Sequence, residues 1–491
     1  PSPRRSPPPS PRPSPRPLNV RTVKGTLSTT VDIVDGVEQL VVRTNGSELV
    51  PVDMGTFKAL APSDYKPGDY ISMECNMMSS GVCYPTSYRT YSCSAYGLCS
   101  WSSGGSPYGD YLDTYPGFPP SFDLSQPNPL ANYKERLLVM VLDYSTCGYP
   151  AAAGLNESST RDIFLNFDIR IRLCSNGVFG LDQDALRVLV VRPNCSASIT
   201  TSCAWWTMAN DANTAAKSIL GDDDVFNNFT HYAYILPPGL ETKCLWARGG
   251  MSLLPGKQFW LQTTMLGSVN RWEVFLHMNL HNYGLWHSWE NGTEFADGST
   301  AMGGGVACPN AAESSRLGWT TPVLNGEAIN SASLLPGAVV TYTVASARIS
   351  GDGSFLRVMP DWLPNYYEDP NEFFLLNTAA ARNLYIEFRA AGYYPEALGE
   401  AYAPKINVYE VNAIMDNGYL HYVPPIGNWA LEYSYTDRKI QIISKIPTSS
   451  RAVLSSYNLV VYGGALTGQD KVKVHLCRYI TNNGECPASP Q

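Results

Sequence analysis

Residues 277–287 read HMNLHNYGLWH. On a helix, positions i and i+4 lie one above the other, so His277 and His281 can share one ligand. Gly284 can adopt the left-handed conformation that ends a helix and turns the chain, which brings His287 round as a third imidazole. Three neutral imidazoles with a fourth position open form the donor set of a catalytic-type metal site. Zinc suits it best, with another divalent cation as the alternative. The chain has 6 histidines in 491 residues, so half of them fall in this one stretch. Core or surface histidines without a metal are the competing reading. Met278 follows the first histidine, and its thioether has no proton to exchange.

Working outward, SVNRWEVFLHMNLHNY (268–283) predicts one helix with Gly284 in the C′ position. Glu273 stands one turn before His277, where it would orient a ligand from behind or cap and solvate the helix. Glu290 and Glu294 follow the third histidine in a loop whose direction the sequence leaves open. Beyond them, ADGSTAMGGG (296–305) carries Met302 next to a run of glycines.

The texture of the chain predicts an α+β multidomain protein. Residues 1–17, PSPRRSPPPSPRPSPRP, contain nothing able to seed a core. They read as a polyproline II stalk or arm at ~3.1 Å per residue, roughly 50 Å if straight, or as an unstructured linker. Pro1 stands where an initiator Met would, which reads as a processed or truncated chain. Residues 18–100 alternate short apolar runs with turn signals: LSTTVDIVDG, VEQLVVRTNGS and DYISMEC as strands, Asp35-Gly36 and Asn45-Gly46 as hairpin turns. That is a small all-β, barrel-like domain. Residues 101–132, rich in Gly, Ser, Pro and Tyr, read as a linker. Residues 133–320 read as a mixed α/β domain, because RLLVMVLDY (136–144) and ALRVLVV (185–191) are continuous apolar runs suited to strands buried on both faces. From 321 to 491 the pattern is β again, in AVVTYTVASARI, NLYIEFRAA, KINVYEV, KIQIIS and NLVVYGG, and predicts a β-sandwich.

A hydrophobic content of 44% suits folded domains, and with a net charge of −8 nothing suggests a nucleic-acid partner or a basic membrane-binding surface. No apolar run approaches the ~20 residues of a membrane span. The 12 cysteines include no C-x-x-C to support a zinc knuckle. With N-x-S/T sequons at Asn45, Asn156, Asn194, Asn228 and Asn291, they point to a secreted, disulfide-bonded glycoprotein. Cys75/Cys83, Cys93/Cys99 and Cys195/Cys203 are close enough in sequence for local bridges, although connectivity cannot be derived from sequence.

The histidine stretch resembles the metzincin signature HExxHxxGxxH, and more narrowly the gametolysin-like metallopeptidases of volvocine green algae. Met302 then stands where metzincins place a methionine turn under the metal. CPNAAESSRLGW (308–319) is similar to the Cys-x-Asn-Ala stretch that closes the gametolysin catalytic domain. LYIEFRAAGYYPEAL with KINVYEV, and KGTL…KPGDYI, resemble the regions after and before it, so the likeness covers nearly all of residues 20–480. The arm 1–17 resembles the hydroxyproline-rich stalks of algal wall glycoproteins.

The resemblance implies a zinc centre held by His277, His281 and His287. It also implies that the general-base glutamate directly after the first histidine is here Met278. Loss of a positioned acid/base costs ~10²–10⁴-fold in rate. The expectation is therefore an extracellular pseudoenzyme of an algal wall, matrix or surface filament, with hydroxyproline-rich glycoproteins or copies of itself as partners. An active zinc endopeptidase with an unconventional base is the alternative. A third reading is a module whose tyrosines hold a proline-rich peptide without cutting it.

Overall fold

The structure is a computed structural model describing residues 19–32, 39–60, 67–93, 99–103, 133–264, 268–364, 366, 381–413, 416–417 and 439–490. The arm 1–17, the Asp35-Gly36 turn and most of the expected linker lie outside the described residues. Among them, no helix is long and apolar enough to cross a membrane.

The apolar run RLLVMVLDY forms the strand Leu137–Leu142, hydrogen-bonded in parallel to Arg187–Val191 on one side and His231–Ile235 on the other. All its residues are buried, odd-numbered ones in one apolar cluster and even-numbered ones in another. This is what a parallel strand covered on both faces requires. Gln258–Leu261 adds a fourth parallel strand, and Met251–Leu254 folds back antiparallel against it. On one face lie the helices Trp272–Asn282 and Glu157–Cys174, where Phe164 and Phe167 meet Phe275 at 5.1 and 5.4 Å between ring centroids. The helix Trp205–Leu220 covers the other face.

The N-terminal strands own an apolar cluster around Leu27, Val42, Phe57 and Ile71, with a short helix, Met54–Leu60, among them. The Asn45-Gly46 turn joins Leu40–Thr44 to Leu49–Pro51 as the sequence predicts. The strand Asn19–Asp32 pairs with Leu40–Thr44 and Tyr70–Met77, and through Thr29–Asp32 with Met251–Leu254. A single 11-stranded sheet therefore runs from the N-terminal strands into the layer that carries the histidine helix.

Beyond Trp319 the five stretches read as strands are strands, and Phe355–Val358, Ser450–Leu454 and Lys471–Arg478 join them. They form a 6-stranded and a 4-stranded sheet enclosing Leu356, Ile386, Val408, Val461 and Val474. Two strands of the larger sheet, Ser288–Glu290 and Thr293–Glu294, come from the chain directly after His287, and Ser288 pairs in parallel with Ile440. Hydrogen bonding thus crosses the texture change near residue 320.

Five disulfides lie among the described residues. Cys75–Cys83 is the expected local bridge. Cys195–Cys203 is not formed. The helix Ala197–Thr200 stands between these cysteines and sends them to different partners, Cys147 at 6.1 Å and Cys244 at 5.4 Å between Cα atoms. Cys93 and Cys99 are in register across neighbouring strands, and their side chains lie outside the described residues. Cys174–Cys308 and Cys477–Cys486 complete the set.

Candidate metal centre

The histidines sit inside the protein. The helix spans Trp272–Asn282, shorter than the predicted 268–283, because Ser268–Arg271 form a turn whose Arg271 N–H bonds to the Ser268 carbonyl at 2.9 Å. Every residue of the helix is buried, including the polar Glu273, Asn279 and Asn282, of which Asn279 bonds to Glu135 and Asn282 to Ser252. Gly284 has φ +88° and donates its N–H to the His281 carbonyl at 2.9 Å, ending the helix where the sequence predicts.

His277, His281 and His287 converge, with one ring nitrogen of each lying within 4.8 Å of the others. Each Nδ1 is held from behind: His277 to the Ala301 carbonyl at 2.6 Å, His281 to the Leu285 carbonyl at 2.7 Å, and His287 to the Glu294 carboxylate at 2.6 Å. Acceptors of this kind fix the proton on Nδ1, so each Nε2 presents a lone pair. Burial pushes His277 down to about 4 and the other two well below the ordinary range, leaving neutral imidazoles at neutral pH.

This arrangement fits a cation. The Nε2 atoms of His277 and His281 face each other at 2.9 Å, and that of His287 is buried with no partner. Two lone pairs cannot hydrogen-bond to each other, and burial disfavours the proton that would join them. A divalent metal accepted by all three Nε2 atoms satisfies the set and leaves a coordination position over.

The turn that carries Met302 packs against the histidines. Ala301 supplies the carbonyl for His277, and the Met302 carbonyl accepts the Ser288 N–H at 2.9 Å. The glycines after Met302 have a steric cause: a Cβ on Gly303 would stand 2.1 Å from the Asp297 carbonyl oxygen, and one on Gly305 2.3 Å from that of Gly298. The C-terminal sheet clamps the turn. Arg389, 1% exposed, donates to the carbonyls of Ser299, Cys308 and Pro309 and pairs with Glu396 at 2.5 Å. Ser299 meets Tyr409 at 2.9 Å and Asp297 at 2.6 Å, and Asp297 also accepts from Ser288. Glu313 takes the Thr300 hydroxyl at 2.5 Å, and Thr300 in turn receives the Met302 N–H at 3.1 Å. Burial raises Glu313 to about 8.

Met278 points elsewhere. It is fully buried in the core, with its Cε and Sδ 3.3 and 3.6 Å from where a Cβ on Gly250 would lie. Each of the three nearby glutamates has another partner. Glu273 is tied to Arg271 at 2.6 Å, and Glu290 to Tyr402 at 2.6 Å and to Lys445. Glu294 is spent on His287 Nδ1, so the orienting carboxylate comes from the loop and not from Glu273. Phe295, at φ +62°, lays its ring 3.9 Å from that of His287. The sequons Asn45, Asn156, Asn194, Asn228 and Asn291 are all exposed.

Three buried imidazoles converging from a helix and the turn after it form a donor set of metallopeptidase type. The chain belongs to the gametolysin peptidase M11 family, whose profile matches residues 136–456. Over 122 residues it is 30% identical to the autolysin of Chlamydomonas reinhardtii, a match covering 24% of this chain and 19%, about a fifth, of the relative's length. No solved structure gives a significant match. M11 is a metallopeptidase family, in accord with the histidine set.

Proposed function

We propose that the chain is a metal-holding, proteolytically silent member of the gametolysin family that serves as a structural glycoprotein outside the cell. Its metal is zinc, its fold is metzincin-like, and its site is a wall, matrix or surface filament. One observation carries the reading: the ligand half of the centre keeps its orienting partners, while the base position holds a methionine packed into the core. Zinc bound by His277, His281 and His287 supplies folding free energy, and could polarise a carbonyl or a water. With a methionine at position 278, and no free carboxylate beside it among the described residues to take the proton, that water is not turned over efficiently. The disulfides and exposed sequons support an oxidising, extracellular setting. Hydroxyproline-rich glycoproteins, or copies of the chain itself, are the partners.

The complete histidine set favours a second reading, an active zinc endopeptidase. Incubating the purified chain with a hydroxyproline-rich matrix glycoprotein distinguishes them. Co-sedimentation without cleavage is the expected result. Cleavage at a chelator-sensitive rate, unchanged in Met278→Ala, would establish the peptidase.

A further inference from the structure

The histidine helix carries a second polar row. At about 100° per residue, positions 279 and 283 lie about 200° round the helix from His277 and His281, so this row faces away from the imidazoles. There it meets Glu135, at the end of the short strand Tyr133–Glu135, which pairs in parallel with Phe179–Leu181. The Asn279 Nδ2 donates to both carboxylate oxygens, at 2.9 and 3.0 Å, and the Tyr283 hydroxyl donates to Oε2 at 2.7 Å. The Tyr283 ring is set between Phe179 and His231, at 5.3 and 4.9 Å between ring centroids.

Glu135 is fully buried, and burial pushes its carboxyl up to about 7 although Asn279 and Tyr283 pull it down. The Nδ1 of His231 lies 3.6 Å away, but burial holds that ring well below its ordinary range and therefore neutral. A buried carboxylate without a cation is costly, and an apolar group of the same size would pack a helix on a sheet as well or better. The carboxylate does one thing that an apolar group cannot. An Nδ2 shared between two oxygens, with a hydroxyl bonded one turn further on, admits little change in the rotation or height of the helix. Rotation and height of this helix are also what place the rings of His277 and His281.

We propose that Glu135 is a positioning residue for the metal centre: through Asn279 and Tyr283 it locks the helix from behind, so that the two imidazoles on its front face converge with the third. Glu294 orients one ring directly, and Glu135 orients the helix that carries the other two. The proposal rests on the reading of the three histidines as a metal centre.

The test compares the native chain with Glu135→Gln, Asn279→Asp and the double variant, which exchanges acceptor and donor and keeps the net charge. Zinc affinity is read by competition with a chromogenic chelator, ligand geometry by the visible spectrum of the cobalt(II)-loaded chain, and stability by urea denaturation of the metal-free chain. Each single substitution should weaken zinc binding about tenfold, the lower end for partners that support metal ligands, and should alter the cobalt spectrum. The double variant should restore both, as expected of two residues that act as a pair. Tyr283→Phe keeps the ring and loses one donor; it should weaken zinc binding in the same direction, and it carries the test if the other variants fold poorly. A native chain that takes up neither metal overturns the metal reading and this proposal together. Native affinity and spectrum in every variant, whatever happens to metal-free stability, overturns the proposal and leaves the metal centre standing. Tighter zinc binding in Asn279→Asp beside weaker binding in Glu135→Gln also overturns it, because a remote charge produces that pattern without positioning anything.

Discussion

The two sides of the histidine helix have kept different things. On the side of the Met302 turn each imidazole is neutral, buried and oriented through Nδ1, and the turn is pinned by Arg389, Glu313 and Asp297. A third of a helical turn away, position 278 faces Gly250 and the core with an apolar side chain. Orienting partners are costly to keep in a protein interior, since each buried polar group needs its own satisfied neighbour. On the function proposed, these partners beside a methionine at position 278 mean that metal binding, not hydrolysis, is what the chain uses. On that proposal donor set and reaction are separable on one helix: the first depends on what lies behind the rings, the second on the side chain at position 278.

The clamp should break hardest. Arg389→Met leaves Glu387 buried without its cation and Glu396 with only the longer contact to Arg348 at 3.8 Å, and a loss of about 3–5 kcal/mol is expected, measured by urea denaturation with zinc present. A smaller effect would mean that the turn stands without the C-terminal sheet. Met278→Ala removes a packed core side chain and should cost about 2–5 kcal/mol while leaving zinc affinity at the native value. Weakened zinc binding there would place Met278 on the metal side after all. Glu294→Ala should do the reverse, lowering zinc affinity about 10–100-fold, by competition with a chromogenic chelator, with little change in metal-free stability.

The smallest effect is one of pH. Burial holds Glu313 at about 8, so the native chain keeps a proton that the unfolded chain releases. The stabilisation that this gives is complete below the ordinary carboxyl range and declines as pH rises through 8, by up to about 1.4 kcal/mol per pH unit. Lys257, lowered to about 7, titrates with the opposite sign, so the informative quantity is a difference. Between pH 7 and 9, native protein should lose stability relative to Glu313→Gln. A constant gap would show that Glu313 is already ionised at neutral pH.

Much of this was legible in the sequence, unevenly. Histidine spacing, Gly284 and Met302 are local signals, and the structure keeps them together; the apolar run at 136–144 announced a fully covered strand. The helices Glu157–Cys174 and Trp205–Leu220 escaped notice, although the first carries a capping box at Asn156 and Ser159 and buries Phe164, Phe167 and Ile171 at helical spacing. What no local pattern reveals is long-range pairing. Ser288–Glu290 joins Ile440–Pro447 across more than a hundred residues, Arg389 reaches Ser299, and Cys195 takes Cys147 instead of its neighbour. Glu294 shows the same limit: its loop position said nothing of direction until the sheet fixed it against His287.

The central claim is that the metal is held but the base is absent, and it can be tested by the hydrolysis rate of a quenched peptide by the zinc-saturated chain beside its Met278→Glu variant. The account predicts no chelator-sensitive hydrolysis by the native chain and a gain of about 10²–10⁴-fold on supplying the carboxylate. Chelator-sensitive hydrolysis by the native chain that Met278→Glu fails to raise would contradict it.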